Sequence, residues 1–248
     1  MGKQVSRKRR KDNYPRAAAE VIQFKSAKFQ TARNLPPIRA QNQNQSDYLD
    51  CLRSCSQIVV IGPAGTGKTW LAATYAADLY RRGQIARIVL TRPNVPCGRS
   101  LGFFPGSLED KFAPWAVPIV EAIKERIGKA CYEIALKNGD IELVPFEVMR
   151  GRTWKNAFII LDEAQNTTTQ EMKMFLTRVG EDCITVINGD IRQCDLDAGS
   201  GLRRILDLIA ERNLPVPVIE FTVDDIVRSG QCRMWVQAFE ESREGVMV

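Results

Sequence analysis

The amino-acid sequence predicts an α/β fold in which a parallel sheet is covered by helices on both faces. Apolar runs rich in Ile, Val and Leu recur along the chain, which is typical of strands buried on both sides. Segments with helical periodicity separate these runs, and this alternation indicates crossover connections between parallel strands. A glycine-rich turn also joins the first apolar run to the first long helical segment, which is the strand–turn–helix order of P-loop folds.

We predict five principal strands, each from a short apolar run. They lie at Gln57–Ile61, Arg87–Thr91, Ala157–Asp162, Cys183–Asn188 and Pro217–Phe221. The main helices between and after them are predicted from their apolar spacing. They lie at Lys68–Arg82, Trp115–Ile127, Gln170–Val179, Gly201–Arg212 and Gly230–Glu241. A short helix at Tyr48–Cys55 would precede the first strand, and the apolar segment Ile141–Phe146 is a candidate for an added strand.

The turn after the first strand carries a phosphate-binding motif. Residues 62–69 read Gly-Pro-Ala-Gly-Thr-Gly-Lys-Thr and match G-x-x-x-x-G-K-[ST]. The glycines let the main chain curl so that successive N–H groups point at phosphate oxygens. Lys68 would reach the β- and γ-phosphates, and the Thr69 hydroxyl would hold Mg²⁺. The predicted triphosphate site comprises Gly62, Pro63, Ala64, Gly65, Thr66, Gly67, Lys68, Thr69 and Trp70. A glycine-rich turn without a ligand is the alternative.

Two further strand ends carry polar residues suited to phosphoryl transfer. The run Phe158–Leu161 ends in Asp162, which would hold Mg²⁺, and Glu163, which would orient or deprotonate the attacking water. The next strand runs into a turn that contains three polar residues, Asn188, Asp190 and Gln193. At the carboxyl end of a strand, these side chains would sense the γ-phosphate. The alternative is a turn in which Asp190 only caps the following helix.

Charge is concentrated at the start of the chain. Residues 1–33 contain ten Lys and Arg against two Asp and Glu, and the remaining residues contain 25 basic and 27 acidic ones. Arg9 and Arg10 belong to a basic run that is typical of a solvated arm and able to contact nucleic-acid phosphates. An inert, solubilising arm is the alternative. We therefore predict a basic arm at 1–33 and a single folded domain at 34–248.

The composition limits which residue types can act in catalysis and indicates the cellular compartment. The chain contains no histidine, which excludes histidine acid–base catalysis and leaves carboxylates and a metal ion to do the work. Its seven cysteines form no C-x-x-C pair and predict reduced thiols rather than a zinc site. No apolar run is long enough to span a membrane, and no signal peptide opens the chain. We therefore expect a cytoplasmic protein.

Taken together, these motifs resemble those of the PhoH family of ATPases. The resemblance covers about residues 34–241 and is most specific over Phe158–Arg178. It implies a RecA-like ATPase core related to the first domain of superfamily 1 helicases, with ATP and Mg²⁺ as cofactors. It also implies a connection with RNA metabolism or phosphate stress, in the cytoplasm of a bacterium or of a phage-infected host. The other segments in which the resemblance to the family is seen are Gly62–Thr69, Leu90–Pro93, Leu101–Gly106, Arg150–Thr153 and Gly189–Leu196.

Two more residues match helicase elements. Gln45 resembles the upstream glutamine that reads the adenine edge, since an amide offers one donor and one acceptor and favours ATP over GTP. The alternative is an exposed linker glutamine. Arg92, at a strand end, resembles the element that contacts a nucleic-acid backbone. The alternative is a surface arginine in a salt bridge.

Efficient hydrolysis also needs an arginine that approaches the γ-phosphate, an effect of roughly 10³–10⁵ in rate. Two-domain helicases supply it from a second domain, for which we find no candidate in the sequence. Arg228 or Arg178 would then act on a neighbouring subunit, with Arg228 slightly favoured, and this predicts a ring, expected to be a hexamer. The alternative for either arginine is a local acidic partner.

Three functions remain open at this stage. The first is an ATPase motor or remodeller that acts on RNA or single-stranded DNA, and it is supported by the helicase-like motifs and the basic arm. The second is a nucleotide-dependent switch that works through a protein partner such as a ribonuclease. The third is a small-molecule kinase, which Glu163 disfavours because it is placed for water.

Overall fold

The computed structural model describes residues 35–93, 108–193 and 199–244. All described residues belong to one compact unit that begins at Leu35. The predicted nucleic-acid contacts at Arg9 and Arg10 lie outside the described residues.

The described residues form one sheet of six strands. The strands are β1 Gln57–Ile61, β2 Arg87–Arg92, β3 Ile141–Pro145, β4 Ala157–Leu161, β5 Ile184–Gly189 and β6 Val218–Glu220. Their order in the sheet is β3-β2-β4-β5-β1-β6, and every neighbouring pair is parallel. This topology confirms the predicted parallel α/β fold, and the candidate strand at Ile141–Phe146 is present as the edge strand β3.

Seven α-helices accompany the sheet in the described part of the chain. They are α1 Gln43–Ser54, α2 Lys68–Arg81, α3 Leu108–Ile127, α4 Lys129–Lys137, α5 Thr169–Leu176, α6 Gly201–Arg212 and α7 Gly230–Glu244. The predicted start of α3 at Trp115 is wrong. Proline disfavours a helix interior, but this helix continues through Pro114 and Pro118. Its packing against α2 stabilises the helix despite these residues. None of the helices described is both long and apolar enough to cross a lipid bilayer.

The alternation of side chains along β4 shows how both faces of the sheet are covered. Phe158 points to one face, where its ring meets Tyr75 of α2 edge-on at 6.2 Å. Ile159 points to the other face and joins a core that contains Met172 of α5 and Leu202 of α6. Both residues are fully buried. The sheet is therefore the middle layer between two layers of helices.

All parallel strands end at the same edge of the sheet, and this edge carries the polar motifs. The phosphate-binding loop follows β1, Asp162 and Glu163 follow β4, and Asp190 follows β5. Because β1, β5 and β4 are direct neighbours in the sheet, these segments converge although they lie far apart in the sequence.

Candidate active site

The phosphate-binding loop encloses the amine of its own lysine. Gly62, Gly65 and Gly67 have φ angles of 135°, 87° and 87°, which other residues adopt only with strain. The resulting curl brings the Lys68 Nζ atom to 2.6 Å from the Gly62 oxygen and 2.7 Å from the Pro63 oxygen. The ammonium is thereby positioned at the centre of the loop. Trp70, in the first turn of α2, is half-exposed.

The Thr69 hydroxyl and the Asp162 carboxylate form the pair expected of a Mg²⁺ site. The hydroxyl donates a hydrogen bond to the Asp162 Oδ1 atom at 2.8 Å. Burial, followed by the charge of Glu163, raises the pKa of Asp162 to about 6, while the Thr69 bond opposes the shift. Hard oxygen ligands, one carboxylate and one hydroxyl, suit Mg²⁺, which takes its other ligands from phosphates and water. The two residues therefore fit this ion.

Two buried acceptor atoms belong to the same part of the site as Thr69 and Asp162. The Asn188 side chain donates to the Thr69 hydroxyl at 3.4 Å, while its Oδ1 atom and the Asp190 Oδ2 atom are buried without a hydrogen-bond partner. Both atoms accept hydrogen bonds, so they suit water molecules better than phosphate oxygens. Gln193 is exposed, and its main-chain N–H donates to the Asp190 oxygen at 3.0 Å. The sensing role predicted for these three residues stays a prediction.

The Lys68 ammonium faces a cluster of carboxylates. Burial lowers the pKa of Lys68, and the charges of Asp190, Asp162 and Glu163 oppose this effect. These three carboxylates stand against the ammonium of Lys68 and the guanidinium of Arg92, which lies 3.9 Å from Glu163. Their oxygens are the kind of ligand that Mg²⁺ prefers.

Glu163 is held in one orientation by Gln165, a residue to which the motifs assign no role. Glu163 adopts a left-handed main chain with a φ angle of 53°. The Gln165 amide donates to the Glu163 Oε2 atom at 2.6 Å, and its oxygen accepts from the Asp190 N–H at 3.0 Å. Gln165 is 1% exposed. It therefore connects the ends of β4 and β5 through the predicted catalytic glutamate.

Arg92 lies on the other side of the same carboxylate. Its Nη2 atom is 3.9 Å from the Glu163 Oε1 atom, and its guanidinium lies 5.7 Å from the ring centre of Trp115. This is the salt-bridged arrangement that we named as the alternative. The contact with a nucleic-acid backbone stays a prediction.

Gln45 contacts the phosphate-binding loop directly. Its Nε2 atom donates to the Thr66 oxygen at 2.9 Å, and its Oε1 atom accepts from the Gln41 N–H at 2.8 Å. Gln45 is 3% exposed, so the alternative of an exposed linker glutamine is wrong. The amide therefore supports the loop through the Thr66 carbonyl group. The role of Gln45 in recognising adenine stays a prediction.

Arg228 packs on the loop of its own subunit, whereas we expected it to act on a neighbouring one. The Val227 N–H donates to the Gly65 oxygen at 3.1 Å and fixes the main chain beside the loop. A Cβ atom built at Gly65 would lie 3.1 Å from the Arg228 Cδ atom. No sequence pattern indicates this contact, because the two residues are brought together only by the pairing of β1 with β6.

Arg178 lies at the opposite end of the sheet from the phosphate-binding loop, where the strands begin. Its main-chain oxygen accepts a hydrogen bond from the Trp154 N–H, just before the first residue of β4. The phosphate-binding loop follows the last residue of β1, which lies two strands from β4 in the same parallel sheet, and five strand residues span about 17 Å. Arg178 therefore cannot reach the triphosphate site of its own subunit. Its predicted action on a neighbouring subunit stays a prediction.

The chain is similar to several bacterial proteins. A family model described as PhoH-like protein matches residues 37–240. Protein PhoH of Escherichia coli (strain K12) is 42% identical over 212 residues, which are 84% of this chain and 60% of that protein. The PhoH-like protein of Bacillus subtilis (strain 168) is 39% identical over 206 residues, which are 82% of this chain and 64% of that protein. The chain thus spans less than two thirds of these relatives.

Solved structures show more distant likenesses. The large terminase of a thermophilic bacteriophage has a TM-score of 0.44 and 11% identity, over 78% of this chain and 48% of the terminase. The Pif1 helicase from Candida albicans has a TM-score of 0.38 and 16% identity, over 75% of this chain and 40% of the helicase. Neither likeness informs the function. The family model and the bacterial relatives confirm the resemblance seen in the motifs, and the chain belongs to the PhoH family.

Proposed function

We propose that this protein is a Mg²⁺-dependent ATPase that acts on RNA or single-stranded DNA as a motor or remodeller and assembles as a ring, expected to be a hexamer. One observation carries the ATPase part. The Thr69 hydroxyl and the Asp162 carboxylate meet at 2.8 Å beside Lys68, and Glu163 stands at the next position in the chain. This combination provides a phosphate-binding loop, two metal ligands and a base at one site.

Each residue has a distinct task in this proposal. Lys68 and the loop N–H groups would bind the β- and γ-phosphates, and Thr69 with Asp162 would hold Mg²⁺. Bound Mg²⁺ would neutralise charge on the phosphoryl oxygens during transfer. Glu163 would accept a proton from the attacking water, since its carboxylate is fixed by Gln165 and directly follows the metal ligand Asp162 in the chain. We assign Arg228 to the triphosphate of its own subunit, because it lies on that loop.

The nucleic-acid part rests on charge and on the family motifs. The arm at residues 1–33 carries ten basic residues against two acidic ones, which suits phosphate contacts. Arg92, beside Glu163, would link a bound strand to the hydrolysis site if it exchanged its carboxylate partner for a phosphate. The ring part is supported by the exposed apolar face of α7, on which Met234, Trp235 and Phe239 are 54%, 60% and 67% exposed.

ATP turnover measured with and without single-stranded RNA and DNA tests the proposal. We expect hydrolysis that requires Mg²⁺, is lost in Lys68→Ala and Glu163→Gln, and rises when a strand is added at low salt. A comparison of ATP with GTP, repeated with Gln45→Ala, tests the adenine preference. Deletion of residues 1–33 should reduce the stimulation.

Different failures point to different parts of the proposal. Absence of turnover in the intact protein would refute the ATPase. Turnover without stimulation by any strand at low salt would refute the nucleic-acid part. Slow turnover together with nucleotide-dependent capture of a protein partner would favour the switch that we named as the alternative.

A further inference from the structure

Arg150 stands at the tip of a fixed turn on the surface. The Arg152 N–H donates to the Met149 oxygen at 3.2 Å, and Gly151 has a φ angle of 80°, as the third residue of a type II turn requires. Met149 is fully buried and anchors the start of the turn in the core. The Arg150 side chain is therefore exposed on a main chain that has little freedom.

Arg178 faces the same surface from the end of α5. Its N–H donates to the Phe175 oxygen at 2.9 Å, and its own oxygen accepts from Trp154, so its main chain is fixed on both sides. The guanidinium makes one hydrogen bond, to the Thr177 hydroxyl at 3.4 Å, and its Nε atom is buried without a partner. Among the described residues, no carboxylate forms a salt bridge with Arg150 or Arg178.

The two arginines belong to one surface pocket of about 560 Å³. Thr168, Gln170 and Met174 of the α5 region provide hydroxyl, amide and apolar groups in the same wall. Glu171 is the acidic member of the pocket, and its Oε2 atom already accepts two hydrogen bonds of 2.8 Å from Thr168. Two guanidinium groups against one engaged carboxylate leave a net positive charge. Such a pocket attracts an anion larger than a single phosphate ion.

We propose that this pocket binds the sugar–phosphate backbone of a single nucleic-acid strand, with Arg150 and Arg178 each contacting a phosphate. The assignment rests on the function proposed above and adds a binding site to it. Planar guanidinium groups match phosphate geometry, and the hydroxyl, amide and thioether groups suit a nucleotide's sugar and base. The volume suits a nucleotide unit, since small-ligand sites occupy about 300–1,000 Å³.

The pocket is also connected to the candidate active site, through the segment between Glu163 and Thr168. Thr168 caps α5 and stands in the pocket wall, and the short 3-10 helix Ala164–Asn166 precedes it directly after Glu163. Gln165, inside this short helix, holds the Glu163 carboxylate. A strand that contacts Thr168 and the first turn of α5 would therefore affect the segment that orients the base. This gives a physical route for stimulation of hydrolysis by nucleic acid.

Binding of a fluorescein-labelled oligouridylate of about 20 nucleotides, followed by anisotropy at about 50 mM salt, tests the pocket with the full chain. We expect Arg150→Ala and Arg178→Ala each to weaken binding by about five- to tenfold. The slope of log affinity against log salt should fall by about 0.7 for each arginine. Arg178→Lys should retain part of the affinity, and Arg212→Ala, an exposed arginine at the end of α6, should bind like the wild type.

The controls separate this proposal from its alternatives. Unchanged melting temperatures would show that the variants are folded. If the wild-type chain bound no strand, the nucleic-acid function itself would fail. If it bound but the alanine variants bound equally well, only the pocket assignment would fail. Loss of ATP turnover in Arg178→Ala with intact strand affinity would overturn the pocket and place Arg178 on the triphosphate of a neighbouring subunit.

Discussion

At the scale of single residues, the site contains groups whose charge or orientation is costly without a ligand. Asp162 is a carboxyl group placed where ionisation is disfavoured, since burial and the neighbouring Glu163 raise its pKa to about 6. Glu163 is held in a left-handed conformation and bridged through Gln165 to the end of β5. Both features are typical of residues selected for chemistry rather than stability.

We predict that Asp162→Asn stabilises the nucleotide-free protein at pH 7. The pKa of Asp162 is about 6 when folded and 3.8 in the reference state, so the folded chain binds more protons between these values. Stability contributed by this group is therefore lost as pH rises through that window. Because Asp162 is partly exposed to the site, we expect a gain of about 1–2 kcal/mol, or about 3–6 °C in melting temperature.

Thermal melting of both proteins at several pH values checks this prediction. The difference between wild type and Asp162→Asn should disappear below about pH 4, where both side chains are neutral. Asp207→Asn, on the exposed face of α6, serves as the matched control. A variant that melts at or below the wild-type temperature at pH 7 would contradict the prediction.

We predict that Gln165→Ala reduces kcat by about 10- to 100-fold with little change in KM. The variant removes the amide that orients the Glu163 carboxylate but leaves the loop and the metal ligands in place. General base catalysis contributes about 10²–10⁴, and misorientation forfeits part of it. Steady-state kinetics checks this, with exposed Gln84→Ala, which lies outside both proposed sites, as the control. A rise in KM alone would instead assign Gln165 to nucleotide binding.

At the scale of elements, the segment after β6 closes on the phosphate-binding loop. Its Phe221 N–H donates to the Ile61 oxygen at 2.8 Å, and the Phe221 ring meets Tyr48 of α1 edge-on. Farther along, the Asp225 carboxylate accepts from Asn44 of α1 at 2.7 Å. The loop is thus held between a helix that precedes it in the sequence and a segment that follows the last strand. This arrangement explains how Arg228 comes to lie on the loop.

We predict that Gly62→Ala disrupts this closure. A Cβ atom at residue 62 would lie 2.3 Å from the Phe221 oxygen, and the φ angle of 135° is strained for alanine. We expect a loss of about 2–4 kcal/mol in the free energy of unfolding, measured by urea denaturation. Gly230→Ala is the control, since a Cβ atom there meets nothing within 4 Å. Equal stability of the two variants would show that the segment after β6 moves away freely.

At the scale of the whole molecule, α7 carries three large apolar side chains that are exposed to solvent, Met234, Trp235 and Phe239. It packs mainly on the 3-10 turn Val223–Asp225, and the rings of Trp235 and Phe239 lie 6.2 Å apart on its exposed side. Two large aromatic side chains and Met234 exposed together are unusual for a monomer, because each aromatic residue buries about 150–250 Å² when covered. A second copy of the chain would cover this surface in the proposed ring.

We predict that the double variant Trp235→Ser with Phe239→Ser lowers the oligomeric state. The double variant removes the two exposed aromatic rings of α7, which are the largest apolar groups that this helix offers to a neighbouring subunit. Light scattering after size-exclusion chromatography measures the mass, and Ile134→Ser, which changes a half-exposed residue of α4, is the control. If the wild type is a monomer at all concentrations, the ring proposal fails.

The parallel α/β fold and the locations of the phosphate-binding loop and of Asp162 with Glu163 could be predicted from the sequence. These features depend on neighbours in the chain, because a strand, its turn and the next helix are specified by adjacent residues. Helix α3 is the exception, since its prolines act locally against a helix while its packing on α2 decides its extent.

The residues that complete the site are determined by tertiary structure alone. Gln165 bridges Glu163 to Asp190, and Arg228 rests on Gly65, although the residues of the second pair are 163 positions apart in the sequence. Arg178, by contrast, lies at the far edge of the sheet beside Arg150. The order of the strands sets these contacts, and strand order depends on pairing between distant segments that no local pattern records.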